Sequence, residues 1–350
     1  MTRRNQSLDL LRGVAILLVV LVHCQEESTG VVPGLSWFAR NYGGLGVQLF
    51  FIISGYTMML TFGDRLDLVA ARSFYIRRFF RIAPLFWVAI VFYLLATRGR
   101  GITNFAPDGV GVSEVLLTFF FLHSCSVTAY NSVVPGGWSI AVEMQFYLLF
   151  PLLIYLFRRR NGATLCYASI ALVSVIGQLA VEPYLIPRLA ASLPASQTYL
   201  AEGVFTSWLP RQVICFGFGI LLYDYIELKN RPTFAALVLL GAALIVTPQG
   251  ADVALLAAFA FGLLISNVSL SWMTVLGRHS YAIYLVHFAV VSLIAGLVPV
   301  GLVPLFVLVS AVSLAFSYYL IEPRIERPFN RLGHALASAG SAPKAVVTTA

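Results

Sequence analysis

Apolar residues run through this chain in long blocks separated by short polar stretches, and that pattern decides the fold class before any motif does. A helix needs about 20 mainly apolar residues to cross a bilayer. Blocks of this kind fall near 10–28, 44–62, 82–97, 138–157, 163–181, 212–228, 233–248, 252–269, 280–297 and 302–321. They predict an all-α, polytopic integral membrane bundle of about ten transmembrane helices. The run EVLLTFFFL at 114–122 is too short to span, and we expect a re-entrant or interfacial piece there, between Arg98 and Gly137.

Charge checks the helix count independently, because a wrong number of crossings scrambles the Lys/Arg asymmetry between the two sides. With the N-terminus in the cytoplasm, only Arg40, Arg98, Arg100, Arg188 and Arg211 of the 23 basic residues fall outside, and the other 18 fall inside. Ten helices with both termini cytoplasmic satisfy the rule. The net charge of +8 then reflects anchoring near anionic lipid and calls for no nucleic acid. Only 11% of residues are charged, against roughly 25% in a soluble domain, so a soluble globular fold is excluded.

Cys24, Cys125, Cys166 and Cys215 lie in or beside apolar runs without metal-ligand spacing, and core packing is expected for all four. Neither a Gly-rich phosphate loop nor an HExxH motif is present, so no ATP-driven pump and no metal enzyme is expected. The first apolar block is too long for a removable signal and lacks a small-residue cleavage site. No loop is long enough for a second folded domain. The transmembrane domain is therefore drawn at 1–333, and the Ala-, Ser- and Gly-rich remainder, 334–350, as a disordered cytoplasmic tail.

An ionisable group within a span costs at least a few kcal/mol and is a functional candidate for that reason. In the first span Arg12 and His23 are eleven residues apart, which at about 100° per residue returns to the same face about 16 Å further along. Asp9, three residues before Arg12, is at contact spacing and is expected to pair with it. The competing structural readings are a snorkelling arginine and a hydrogen-bonded interhelical histidine. In the fourth span Glu143 is expected one to two turns below the outer boundary, at a depth comparable with His23. A carboxylate facing an imidazole fixes its tautomer and raises its basicity, as a general base requires. The alternative for Glu143 is a structural hydrogen bond to Ser139 or Tyr147, each one turn away.

Ser54 and Gly55, near the middle of the second span, fit either close helix packing or the lining of a cavity. Arg77, Arg78 and Arg81 cluster at the cytoplasmic mouth of the third span. Their forked donors suit a phosphate group, although ordinary positive-inside anchoring explains them equally.

In order along the chain stand Asp9, Arg12 and His23, then FFIISGY at 50–56, Arg77-Arg78-x-x-Arg81, WSIAVEMQFYLLFP from Trp138 to Pro151, LGRHSYAIYLVH ending at His287, and IERPF from 325. Each is weak alone; six in order at matching membrane positions resemble the acyltransferase 3 family of membrane acyltransferases. Either Glu322 or Glu326 matches the carboxylate of the closing element.

The resemblance implies transfer of an acyl group, usually acetyl, from cytoplasmic acyl-CoA to a hydroxyl of a cell-surface or exported glycan, by a multi-pass protein of the bacterial cytoplasmic membrane. In that reading Arg77, Arg78 and Arg81 hold the donor phosphates, and His23 serves as general base or transient acyl carrier. Glu143 orients His23 or holds the acceptor, and Arg12 guides the pantetheine arm or steadies the cavity through Asp9. Ser54, Trp138, Ser139 and Tyr147 support the site. Acyl-CoA, a hydroxyl-bearing acceptor and membrane lipid are the implied partners. A macrolide or other secondary metabolite is the alternative acceptor. The alternative from another class is a non-enzymatic transporter or flippase, since polar residues along a cavity also mark a substrate pathway. Transporters often show two similar halves, and no clear internal repeat is visible between the first and last five spans.

Overall fold

The computed structural model describes residues 3–62, 67–102, 104–159, 162–229, 234–266, 268 and 270–339. Among them there is no strand. The helices are α1 (Arg3–Glu27), α2 (Pro33–Tyr42), α3 (Gly46–Phe62), α4 (Leu68–Ala96), α5 (Val112–Phe119), α6 (Gly137–Phe157), α7 (Gly162–Ile176), α8 (Glu182–Ala191), α9 (Tyr199–Thr206), α10 (Leu209–Ile226), α11 (Phe234–Val246), α12 (Gly250–Ser266), α13 (Ser271–Arg278), α14 (Ser280–Leu297), α15 (Leu302–Phe316) and α16 (Arg327–Ala339).

Among the described residues, helices fall in all ten expected spans, and eight helical stretches are long and apolar enough to cross a membrane. α11 and α12, with 13 and 17 residues, fill the seventh and eighth expected positions as shorter helices. The protein is thus an all-α polytopic membrane protein. Leu95, Leu148, Leu152 and Ile245 stand far out of the surface, as apolar side chains do where lipid replaces water.

Three local expectations change, and the short piece expected at 114–122 is found. The third span starts earlier than expected, because Asp67 caps α4 by accepting from the backbone N–H of Ala70, which draws the basic cluster into the helix itself. The apolar run at 114–122 forms the half-length helix α5 and a turn. The stretch 182–210, expected as an outer loop, is largely helical as α8 and α9. α16 carries the chain as helix to Ala339, past the boundary drawn at 333; it packs on α4, with Gly333 against Phe80. The rest of the expected tail, 340–350, lies outside the described residues, as do Arg65, Arg160, Arg231 and Lys344 of the charge count.

α1 is the central element. Leu8, Leu11, Ala15, Ile16, Val19 and Val20 are buried all along it, against α3, α13, α14 and α15. α3 in turn packs backbone to backbone on α10. A Cβ on Gly55 would fall 2.3 Å from the Phe216 carbonyl oxygen, and one on Gly219 would fall 2.1 Å from that of Ile52. In lipid, where apolar contact gives helices little reason to associate, such close approach is what holds them together. Of the two readings of Ser54-Gly55, Gly55 follows close packing, whereas Ser54 on the next face lines a cavity.

The turn between α5 and α6 fixes where α6 begins. Gln145 of α6 donates to Ser124 Oγ at 2.9 Å and to the Phe121 carbonyl at 3.3 Å. His123 stacks on Phe86, and burial pushes its imidazole down to about 4, so it packs as a neutral ring. Gly136 then enters α6 at φ 71°, a conformation glycine adopts freely. Cys24, Cys166 and Cys215 are buried as expected, but Cys125 is exposed because it lies in this turn.

Gly55→Val should lower stability by about 1–3 kcal/mol through overpacking. Gly262→Ala, where a Cβ meets open space, should leave it unchanged. Thermal unfolding in detergent measures both, and equal melting of Gly55→Val and the parent would contradict the packing described.

Candidate functional site

Five helices converge on a cleft that encloses about 680 Å³ of empty space, part of it open to solvent. Arg12 reaches it from α1, Phe50, Ser54 and Thr57 from α3, Arg78 and Arg81 from α4, Ser139, Glu143 and Tyr147 from α6, and Ser280, Tyr281 and Tyr284 from α14. The lining residues run from 47 to 57 on α3 and from 139 to 147 on α6. At 1.5 Å per residue the cavity is about 12–15 Å long.

One end is strongly basic. Arg12 donates to Asp9 Oδ1 at 2.8 Å, the pairing expected from their spacing, and to Thr57 Oγ1 at 3.1 Å. Arg78 donates to Thr61 Oγ1 at 2.6 Å and lies over the rings of Phe74 and Tyr147. Arg81 completes the group. Arg77 does not join it: its guanidinium donates to Ser73 Oγ at 2.6 Å, one turn back on α4. The cavity therefore brings together Arg12, Arg78 and Arg81; Arg77 and Arg78 point about 100° apart on the helix, and of these two only Arg78 lines it.

Glu143 is the one carboxylate lining the cavity. It accepts from Ser54 Oγ at 2.6 Å and from the Tyr147 hydroxyl. Its expected position opposite His23 is not observed. Ser139, one turn from Glu143 toward the other end, bonds instead with the Gly136 carbonyl and the Tyr284 hydroxyl. His287 is three residues beyond Tyr284 on α14, so Glu143 lies about 10 Å along the bundle from the level of the imidazoles. Trp138 packs edge-on against Phe51 and is absent from the lining. Neither Glu322 nor Glu326 lines the cavity; Glu322 accepts from Arg327 Nε at 3.0 Å.

At the opposite end Tyr284, which also donates to the Gly136 carbonyl, closes the lining. About one helical turn past it is a pair of imidazoles. His23 and His287 have ring centres 5.4 Å apart, and Phe288 touches both rings. The His23 side chain is 26% exposed, whereas His287 is fully buried. The carboxylate that meets His23 is Glu26, whose Oε2 is 2.8 Å from Nδ1. An ionised carboxylate only accepts, so Nδ1 carries the hydrogen, and in the neutral ring the lone pair is on Nε2.

The arrangement supplies always-charged donors for a phosphate-bearing ligand at one end and a basic nitrogen at the other, joined by a cavity with walls of Phe50, Phe51, Ile53 and Tyr281. Thr57, Tyr281, Tyr284, Glu26 and His287 were not singled out as site residues from the sequence. Glu26 stands three residues from His23, as Asp9 does from Arg12, and that spacing was a readable signal.

A family model described as an acyltransferase domain matches residues 5–322. Among curated relatives, peptidoglycan O-acetyltransferase OatA of Listeria monocytogenes serovar 1/2a is 29% identical over 161 residues, covering 43% of this chain and 24% of the relative. O-acetyltransferase OatA of Staphylococcus aureus strain NCTC 8325 is 22% identical over 358 residues, covering 92% of this chain and 57% of the relative. The chain thus spans less than two thirds of these relatives. No solved structure matches it.

Proposed function

This chain belongs to the acyltransferase family whose domain matches residues 5–322, and from that premise we propose that it is an O-acetyltransferase of the bacterial cytoplasmic membrane. It takes an acetyl group from cytoplasmic acetyl-CoA and passes it to a hydroxyl of a cell-surface or exported glycan. The observation that carries the reading is a cavity with three guanidiniums at one end and an imidazole with a free Nε2 one helical turn past the other. The glycan as acceptor is supported by the relatives, one of which is named for peptidoglycan O-acetylation.

Arg12, Arg78 and Arg81 hold the phosphates of the donor, and the thioester end reaches along the cavity toward Tyr284. Exclusion of water protects the thioester from hydrolysis. His23 Nε2 takes the proton of the acceptor hydroxyl as its oxygen attacks the acetyl carbon, and Glu26 keeps the imidazole in the competent tautomer. Glu143, bonded to Ser54 and Tyr147, offsets the positive charge of the donor site and keeps its wall in place.

For the donor site, Arg81→Ala should raise the Kd for acetyl-CoA about tenfold, the scale of one charge-assisted hydrogen bond. Arg77→Ala should change it less than about twofold, and titration calorimetry measures both. Equal losses would restore the patch of consecutive arginines. For the chemistry, His23→Ala should lower acetyl transfer by about 10²–10⁴-fold, the contribution of a general base, with unchanged melting in detergent. Near-parental transfer would remove His23 from the reaction. Release of free CoA that depends on a hydroxyl acceptor would separate an enzyme from a transporter.

A further inference from the structure

Two hydrogen bonds fix relative depth at the basic end of the cavity. His279, just before α14, bonds through Nδ1 with Ser317 Oγ at 3.0 Å, and Tyr281 donates to the Ile82 carbonyl of α4 at 2.8 Å. Ser317, the start of α14 and the Ile82 turn of α4 therefore stand at the same end of the bundle. Gly333 is sixteen residues beyond Ser317, about 24 Å further along a helix. It nevertheless packs on α4 at Phe80, where a Cβ would fall 2.7 Å from the Phe80 Cβ. A straight continuation of α15 would carry Gly333 far past that turn of α4, so α16 crosses the end of the bundle instead of prolonging a span. The chain between them, Ser317–Glu326, is wound as a π-helix and contains Pro323, and both let a helix change direction.

α16 has three distinct faces. Gly333 and Ala337 are buried on the side packed against α4. Arg327, Arg331, His334 and Ser338 are exposed and fall within about 60° of one another. Phe329, Leu332 and Leu336, spaced i, i+3 and i+7, form an exposed apolar stripe roughly opposite that polar face. The packed face lies about a quarter-turn from each. This is the layout of a helix lying in a membrane interface, with one flank on the protein, one at the boundary of the acyl chains and one in water. Arg327 is met by Glu322 at 3.0 Å. Arg331, and Arg324 just before α16, have no carboxylate partner among the described residues.

We propose that α16 is a docking surface for acidic phospholipid in the leaflet at the basic end of the cavity. Phe329, Leu332 and Leu336 enter the boundary of the acyl chains, and Arg324 and Arg331 meet the negative headgroups. Charge selects this occupant: positive side chains beside an apolar stripe complement an anionic lipid surface, whereas across a two-fold axis the same arginines of a second copy would face one another. Gly333 seats on Phe80, next in the chain to Arg81, so the docked helix braces the part of α4 that lines the cavity.

The test uses the full chain in phosphatidylcholine vesicles, with Cys125→Ser removing the exposed thiol and a bimane fluorophore attached at Leu332→Cys. Phosphatidylglycerol or phosphatidylcholine with brominated acyl chains is then titrated in as quencher. Half-quenching should come at about a fivefold lower mole fraction of brominated phosphatidylglycerol than of brominated phosphatidylcholine, the scale of one arginine at an anionic surface. Adding Arg331→Gln should remove most of that difference, and bimane at Ser338→Cys, on the polar face, should be quenched little by either lipid. Should Leu332→Cys not fold, Leu336→Cys lies on the same stripe and carries the same expectation. Absence of quenching at the stripe, as when a second copy or residues 340–350 cover it, would overturn the proposal. Equal quenching by the two lipids, or an unchanged preference in Arg331→Gln, would overturn the acidic headgroup as the occupant.

Discussion

Three guanidiniums share one cavity inside an apolar bundle, and much of the architecture around it answers that constraint. A buried charge without partners costs several kcal/mol, so buried Arg78 and half-buried Arg12 must each be met by a carboxylate, a hydroxyl or a ring, whereas Arg81 is exposed. Arg12 has Asp9 and Thr57, Arg78 has Thr61 and two aromatic faces, and Glu143 adds a negative charge to the same wall. These partners come from α1, α3, α4 and α6, so the positive cavity and the close packing of those helices depend on each other. Positive charge exceeds negative charge along the lining, and an anionic ligand would restore the balance.

The fold was largely legible because lipid imposes a simple rule: every backbone polar group must be satisfied within a helix, and each helix must be long and apolar. Asp9 and Arg12 were legible for a similarly local reason, since three residues on a helix always bring side chains together. Glu143 meets Ser54 and Tyr147 rather than His23 because its depth depends on where α6 begins, which the sequence does not display. The entry of α6 is set by Gly136, Gln145 and the turn around His123, and only tertiary packing reveals that Ser139 rather than Glu143 reaches the level of Tyr284. Arg77 lies outside the cavity lining because adjacency in sequence does not give direction in space.

In the proposed reading the division between a basic end and an imidazole end has a chemical purpose. The donor is anionic and carries its reactive thioester at the far tip of a long arm, whereas the acceptor is neutral and polar. Placing the phosphate site and the base at opposite ends lets the two substrates meet without sharing an entrance. Tyr284, bonded to Gly136 and Ser139, stands between the cavity and the imidazoles. In the proposed reading it is the side chain that the acetyl group passes.

In the proposed reading donor and acceptor enter from opposite faces of the membrane, and a sided transfer assay checks this. Protein oriented in proteoliposomes is given labelled acetyl-CoA on the face bearing Arg81 and an impermeant glycan on the face nearer His23. The account predicts acetylated glycan on the far side, with free CoA appearing in step, and no product when the two substrates exchange sides. Transfer only when both substrates share one face would contradict it.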